Sequence, residues 1–494
     1  MSNFKRGALS SLMLVGESIL NKLIGLISTL ILARVLLPED FGIVAIATIV
    51  IGFFQILSDT GSVQYLLKKD VINKSDINTS FTINLLIRAG VCCCMCGLSF
   101  FFADWYDDQR LILLIVIMAA VFFVKTFESP GIIYLKRAQN YSKIVKVNVV
   151  AKLLSVTVAV SVALVYESYW ALVAGQATNA LISTVGSYVV IPFSPKLQLT
   201  NARKQWVFSG WMIPQSILGY FRTQLDTILV SSTFGKSELG SYHTMKYLAF
   251  MPSAYLIVPI AQTFLVELRK AKINHNYFCK QYNASLILVL LLALPICSFL
   301  FRFHESAVGM LLGENWIKYS ELVAALSLLI PASAIFHHCC RTIIIYDKPK
   351  HIFIYEIMSF TTLYGILFFI GLDDLLIFTY ARVGIENIMC LAYLLYVSVK
   401  YTHLLNSLKL IFSLFVISAS AYLTYYLAGE IPTLSSYLIV DFVAKSVCFF
   451  LMFYIVIIFL HFLFLRRFSE WKYLESLFSR IAKPIFSRTF YKLK

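Results

Sequence analysis

The sequence predicts an all-α integral membrane protein of about fourteen transmembrane helices, and three observations predict it. The first is composition: of 494 residues, 59% are hydrophobic and only 14% are charged, against about 45–50% and about 25% in soluble domains. The second is a series of apolar runs, each long enough to cross a bilayer core about 30 Å thick at about 1.5 Å per helical residue. The third is the sorting of Lys and Arg onto alternate loops. A mean hydropathy of +0.78 leaves too little polar surface for a water-soluble fold. With only 21 Gly and 12 Pro, collagen-like and disordered classes are excluded as well.

The runs lie near 8–36, 41–66, 80–103, 111–134, 144–166, 168–191, 205–233, 239–266, 283–301, 320–346, 352–371, 375–399, 408–428 and 437–465. Strands of a transmembrane barrel would alternate in polarity over about 10 residues, and these do not. Numbering the loops from the N-terminus puts Lys5 and Arg6, Lys68 and Lys69, Lys136 and Arg137, and Arg203 and Lys204 on one side. The basic tail falls on the same side. The other side holds only Arg110, Lys236, Arg302 and Lys318. By the positive-inside rule the first side is cytoplasmic, with both termini on it. The net charge of +16 is then a product of topology, and no nucleic-acid partner is implied. The first apolar run is about twice the length of a signal-peptide h-region, so it reads as a retained span. The outward loops, the longest at 303–320, are too short for an outer catalytic domain.

A weak internal repeat runs at an offset of 198 residues, or six spans. LLPEDFG ends at Gly42 and FGKSELG at Gly240, while GSVQYLL (61–67) aligns with PIAQTFL (259–265). An even number of spans per copy gives parallel repeats, one of the standard transporter builds. The expected organisation is a first lobe over 1–200, a second over 201–402, two added spans over 403–466, and a tail over 467–494. That tail spaces Phe468, Trp471, Leu474, Phe478 and Ile481 at helical intervals among basic residues, up to Pro484. It reads as an amphipathic helix lying on the anionic inner leaflet.

Ten cations remain at membrane depth. Arg34, Arg341 and Lys445, near span ends, read as side chains that extend to the interface. Lys22, Arg88, Lys125, Lys152, Arg222, Lys246 and Arg382 lie deeper, where each costs about 2.5–3.5 kcal/mol unless it faces a wet or paired interior. The acids at depth include Glu17, Asp59, Glu128, Asp226, Glu356 and Glu386. Arg222 with Asp226 and Arg382 with Glu386 are i,i+4 pairs, and Glu128 follows Lys125 by three residues. Each pair reads either as an ion pair that fixes packing or as part of a transport or ion-coupling site. Lys22, Arg88, Lys152 and Lys246 have no local counter-ion in the sequence. Such a buried cationic group calls for an anionic ligand, and a diphosphate meets the demand through charge-assisted hydrogen bonds.

Pro130, Pro214, Pro252, Pro259, Pro295 and Pro331 interrupt spans. Pro252 and Pro259 bracket a hinge candidate, and SDTGS (58–62) is its counterpart in the second span. The ten cysteines lie in or beside apolar spans without metal spacing. The run His337, His338, Cys339 and Cys340 points its side chains about 100° apart on a helix, so no metal site is expected.

LARVLLPEDFGIVAIATIV (32–50) and LSDTGSVQYLLKKD (57–70) resemble the polysaccharide-transport branch of the multidrug/oligosaccharidyl-lipid/polysaccharide exporter superfamily. This branch comprises the Wzx-type repeat-unit flippases, with the colanic-acid-exporter type nearest. YLKRAQNYSKI (134–144) and LLGENWIKYSELVAALSLL (311–329) fit the same pattern. The resemblance implies two six-helix lobes around a basic cavity in a bacterial inner membrane. By alternating access they move an undecaprenyl-pyrophosphate-linked oligosaccharide from the inner to the outer leaflet. It further implies coupling to a proton or sodium gradient, no cofactor, and pathway partners such as a polymerase and chain-length proteins. Lys22, Arg88, Lys125, Lys152, Arg222 and Lys246 are the substrate-binding candidates. Glu17, Glu128, Asp226, Arg382 and Glu386 are the ion-coupling or ion-pair candidates. The rivals are a drug or cation antiporter of the same superfamily, a membrane glycosyltransferase or polymerase for which only Asp373 and Asp374 offer loop acids, and a structural scaffold.

Overall fold

Hydrocarbon supplies no hydrogen-bond partners, so a backbone within it must pair its own N–H and C=O groups, and apolar runs close into helices. The computed structural model is helical, with no strand among the described residues. It describes residues 3–476 apart from 70, 139, 201, 259, 261–267, 269–270, 347, 349, 371–373 and 432–437. Among these, 10 segments are long and apolar enough to cross a membrane. The remaining expected runs fall on helices at Trp170–Val190, Ala202–Thr233, Lys236–Pro252 and Lys350–Ile370. Val189 is 80% exposed and Phe415 69%, as a lipid-facing surface requires and a water-facing one does not tolerate in quantity. The chain is a multi-pass membrane protein built of two compact units, Met1–His243 and Thr244–Lys494.

The first unit opens with α1 (Asn3–Val35) and α2 (Pro38–Leu57). The PED sequence starts α2. Pro38 occupies a first-turn position that needs no N–H, and the Asp40 carboxylate accepts from the Leu37 N–H at 3.1 Å, where the helix dipole favours a negative charge. The second span is broken at SDTG, where the sequence marks a weak point. Gly61 takes φ of 62°, and the Asp59 carboxylate accepts its N–H at 3.1 Å. A short helix, α3 (Ser62–Lys68), follows. Then come α4 (Lys74–Trp105) and α5 (Arg110–Val124). The fourth span is broken too: a 3-10 turn at Lys125–Phe127 leads through Pro130 into α6 (Ile132–Arg137). The two breaks are tied together. Arg137 donates to the carbonyl of Leu66 at 2.9 Å and to that of Lys69, capping α3, while Leu66, Ile77 and Ile133 share a small apolar core.

Next, α7 (Ser142–Tyr166) and α8 (Trp170–Val190) pack closely because α7 buries Ala151, Ser155, Ala159 and Ala163, one small residue per turn. A Cβ on Gly175 would approach Ala159 Cβ to 2.9 Å, so the contact depends on small residues, as in other membrane helix pairs. The unit closes with α9 (Ala202–Thr233) and the start of α10 (Lys236–Pro252). Here Gly42 and Gly240, equivalent under the 198-residue offset, face each other. A Cβ on Gly42 would overlap the carbonyl oxygen of Lys236, and one on Gly240 that of Pro38. Positions 38 and 236 are themselves related by the offset, so the contact is reciprocal, as a two-fold relation between the two segments requires.

Beside it an ion cluster forms at the side expected to be outward. Asp108 meets Lys236 and Arg110, each at 2.9 Å, and Arg110 meets Glu39 at 2.7 Å. Burial pushes the Asp108 carboxyl up, but the hydrogen bonds from Arg110 and Lys236 outweigh it and hold its pKa at about 2.

In the second unit α10 gives way after Pro252 to a π-helical turn at Ser253–Ile257. This is the segment expected as a hinge; Pro259, and the aligned positions Gln262 and Leu265, lie outside the described residues. The unit's core is α11 (His275–Arg302), packed by α13 (Ser320–Ser327), α14 (Leu329–Ile345), α16 (Leu375–Thr402), α17 (Leu404–Leu427) and α18 (Leu438–Leu463). The 303–320 loop folds into α12 (His304–Leu311) and a 3-10 turn that buries Trp316 completely. Asp374 caps α16 by accepting from the N–H of Leu376 at 2.6 Å, and Asp373 lies outside the described residues. α15 (Lys350–Ile370) precedes it.

The described start of the tail turns into this unit. Trp471 and Leu474 are each 4% exposed, the Trp471 indole donates to Ser413 at 3.1 Å, and Asn283 donates to Glu470 at 3.0 Å. Phe478, Ile481 and Pro484 lie outside the described residues.

Candidate functional site

The breaks in the second and fourth spans place two helix interruptions against α4 within the first unit. Between them lies a cavity of about 160 Å³, lined by Ser62 and Val63 of α3, Ser80, Asn84 and Arg88 of α4, Lys125 and Thr126 of the 3-10 turn, Glu128, and Lys136 of α6. Each wall follows from local sequence. Gly61 lets the chain turn so that Ser62 reaches α4, and Pro130 ends the fourth span before its expected limit, bringing Lys136 to the cavity.

The polar wall is pre-organised. Asn84 accepts from Thr60 at 2.6 Å and from Ser62 at 3.0 Å; Ser62 accepts from Gln205 at 2.5 Å, and Ser80 donates to Gln205 at 2.8 Å. Fully satisfied networks of this kind fix geometry.

The charged wall is less satisfied. Arg88 sits near the midpoint of α4, with its guanidinium 5.3 Å over the Phe122 ring. Its Nε is buried without a hydrogen-bond partner, as is the Thr126 hydroxyl. Asp59 and Glu128 act on Arg88 electrostatically, and Lys136, Lys125 and Arg88 act on Glu128. Arg88 thus has the counter-charges that the sequence had not revealed, supplied from two other elements. Three cations against one lining acid leave a net positive pocket that suits a multiply charged anion with several acceptor oxygens.

The structure brings only part of the predicted set together. Arg88, Lys125 and Glu128 share the cavity; the break at 128 means that Lys125 and Glu128 are not an i,i+3 pair on one helix. Lys22 lies on α1, and Lys152 belongs to a different seam, between α1 and α7. There Lys152 Nζ would lie 3.6 Å from a Cβ on Gly25, and Glu17 accepts from Asn148 at 2.6 Å. Asp226 is 1% exposed and accepts from Tyr242 at 2.9 Å; the Arg222 side chain lies outside the described residues. Lys246 is on α10. Arg382 and Glu386 form the expected pair, at 3.6 Å, on α16 in the second unit. Lys445 does not extend to the interface: it pairs with Asp441 at 2.7 Å, 12% exposed. His338 is buried against the Tyr282 ring, at 4.5 Å between centroids.

Sequence reading missed Lys136, Ser62, Asn84 and Thr126. Lys136 read as a loop cation because the fourth span was carried through Pro130. The signal for the others was SDTGS, read as a weak point of the helix rather than as the wall of a cavity.

An all-helical membrane protein whose interrupted spans enclose a charged pocket has the build of a membrane transporter. The polysaccharide biosynthesis protein family matches residues 31–321, more than half of the chain, and the chain belongs to that family. Among its relatives are an uncharacterized membrane protein in the cps region of Klebsiella pneumoniae, 21% identical over 67% of each chain, and the lipopolysaccharide biosynthesis protein WzxC of Escherichia coli (strain K12), 21% identical over 67% of this chain and 66% of that one. The succinoglycan biosynthesis transport protein ExoT of Rhizobium meliloti (strain 1021) is 22% identical over 64% and 65%. The matches span about two thirds of the length of these curated relatives.

Among solved structures, the lipid II flippase MurJ in an inward closed conformation has the same fold, with a TM-score of 0.71 and 12% identity over 92% of this chain and 99% of that one. An inward-facing multidrug resistance MATE family transporter of the MOP superfamily gives 0.57 and 10% over 77% and 94%. The resemblance read from residues 32–50 and 57–70 is borne out as to family, and both solved structures fit the superfamily it named.

Proposed function

We propose that this protein flips an undecaprenyl-diphosphate-linked oligosaccharide repeat unit from the inner to the outer leaflet of a bacterial inner membrane, for surface polysaccharide synthesis. One observation carries the reading: Arg88, near the middle of α4 and with a buried Nε donor unpartnered among the described residues, shares a pocket with Lys125 and Lys136. Diphosphate and sugars cannot cross hydrocarbon, whereas the prenyl chain can stay in lipid, so the polar head needs a cationic, wet route. Family membership and the names of the relatives support the polysaccharide pathway. They also favour a transporter over an enzyme.

In this reading two six-span lobes alternate access, spans thirteen and fourteen lie outside them, and both termini are cytoplasmic. Lys22, Lys152, Arg222 and Lys246 are further contacts for the head group. Glu17, Asp226, Arg382 and Glu386 are candidates for coupling to protons or sodium ions. Polymerase and chain-length proteins of the pathway are the expected partners. A drug-cation antiporter would need a predominantly acidic pocket, the reverse of this one.

The test is cellular. Arg88→Ala combined with Lys125→Ala abolishes surface polysaccharide at normal protein abundance, while Arg88→Lys keeps part of it. Undiminished polymer from the abundant double variant would remove the pocket from the transport route.

A further inference from the structure

The pocket contains one group that opposes the ligand proposed for it. Glu128 lines the cavity among Arg88, Lys125 and Lys136, and all three cations act on it. A carboxylate beside an incoming phosphate is a like charge in a low-dielectric site, which costs affinity unless it is moved or neutralised.

Its position allows neutralisation. Glu128 stands in the helix break, outside the regular backbone of both flanking helices, and its side chain is exposed to the cavity. Among the described residues the cations are the only charged groups lining the cavity with it; α3 contributes Ser62, and the next residue in the break, Ser129, is held by its N–H to Ser187 of α8 at 2.8 Å. Asp59, in the other break, acts on Arg88 electrostatically. Among the described lining residues Glu128 is therefore the one acid set against three cations. It leaves Arg88 Nε and the Thr126 hydroxyl without partners, two groups that phosphate oxygens would satisfy.

Resting on the flippase reading, we propose that Glu128 is the pocket's resident counter-anion and proton acceptor: an entering phosphate group takes over its cations, and the Glu128 carboxylate takes up one proton from the aqueous side. Once phosphate has neutralised Arg88, Lys125 and Lys136, nothing nearby stabilises a second buried negative charge, and the carboxyl becomes the cheaper state. Release of the anion restores the cations to Glu128 and returns the proton to water. By linkage, ligand affinity rises as pH falls.

The experiment uses the full-length protein in nanodiscs, with farnesyl diphosphate as the probe. Calorimetry in buffers of different ionisation enthalpy counts the protons taken up on binding. The probe's own ionisation is common to every variant, so the comparison isolates Glu128. The wild type takes up about one proton more than Glu128→Gln near neutral pH. Glu128→Gln binds about a hundredfold tighter than the wild type at pH 8 and within about twofold of it at pH 5.5, and Glu128→Ala serves if the glutamine variant does not fold. Equal proton uptake in the wild type and in both variants, or weaker binding by the variants at every pH, would overturn the proposal. A different outcome tests the reading beneath it: if Arg88→Ala with Lys125→Ala binds the probe as tightly as the wild type, the pocket is not a diphosphate site, whatever Glu128 does.

Discussion

At the scale of the residue, membrane-buried charge is governed by who sits four positions away and who sits across the helix. Lys445 shows the first. Asp441 stands one turn before it, and the pair closes at 2.7 Å with both side chains largely buried. The spacing was present in the sequence, yet Lys445 read as a cation reaching for the interface because Asp441 was not counted at membrane depth. Removing one partner of such a pair strands the other, at a cost of about 3–5 kcal/mol, whereas replacing both is close to neutral. Lys445→Met therefore lowers the thermal stability of the purified protein, and Asp441→Asn with Lys445→Met recovers most of it. Equal stability of the single and double variants would show the pair to be inert. Arg88 shows the second case. Its counter-charges, Asp59 and Glu128, come from helix breaks far off in sequence, which no local spacing could reveal.

At the scale of the element, the sequence was most legible where hydropathy decides and least where a turn decides. Length and apolarity located the helices, and the Asp76 and Asp374 carboxylates start α4 and α16 by accepting backbone N–H groups. In the second and fourth spans SDTGS and Pro130 mark weak points, but apolar content runs through both and does not tell a kink from a full break. A buried half-helix followed by a break looks, in composition, like one helix. The four-residue spacing of Ala151, Ser155, Ala159 and Ala163 was equally visible and reads in retrospect as the α7–α8 seam. The contact of α2 with α10 was foreshadowed by the repeat, which aligned Gly42 with Gly240 without saying that they touch. Since a Cβ on either would overlap a backbone carbonyl oxygen of the other segment, Gly240→Ala must push the two helix ends apart. Flux falls at least tenfold in that variant while the helical circular-dichroism signal is kept. Full flux would mean that the helices separate there without consequence.

At the scale of the whole molecule, the protein reconciles a lipid-soluble exterior with a small, charged interior. Side chains such as Val189 and Phe415 face outward, and among the described residues polar groups serve caps, seams and a cation-rich pocket between interrupted helices. Under the proposed function that economy is what a carrier of an anionic, lipid-tethered head group needs, because such a carrier has only to replace the water around the head. The most direct measurement is leaflet transfer itself: proteoliposomes holding a fluorescent prenyl-diphosphate-linked oligosaccharide, with the outer leaflet read by a membrane-impermeant quencher. The account predicts transfer by the wild type and its loss in Arg88→Ala with Lys125→Ala, with protein insertion equal in the two. Transfer by the double variant at the wild-type rate would contradict it.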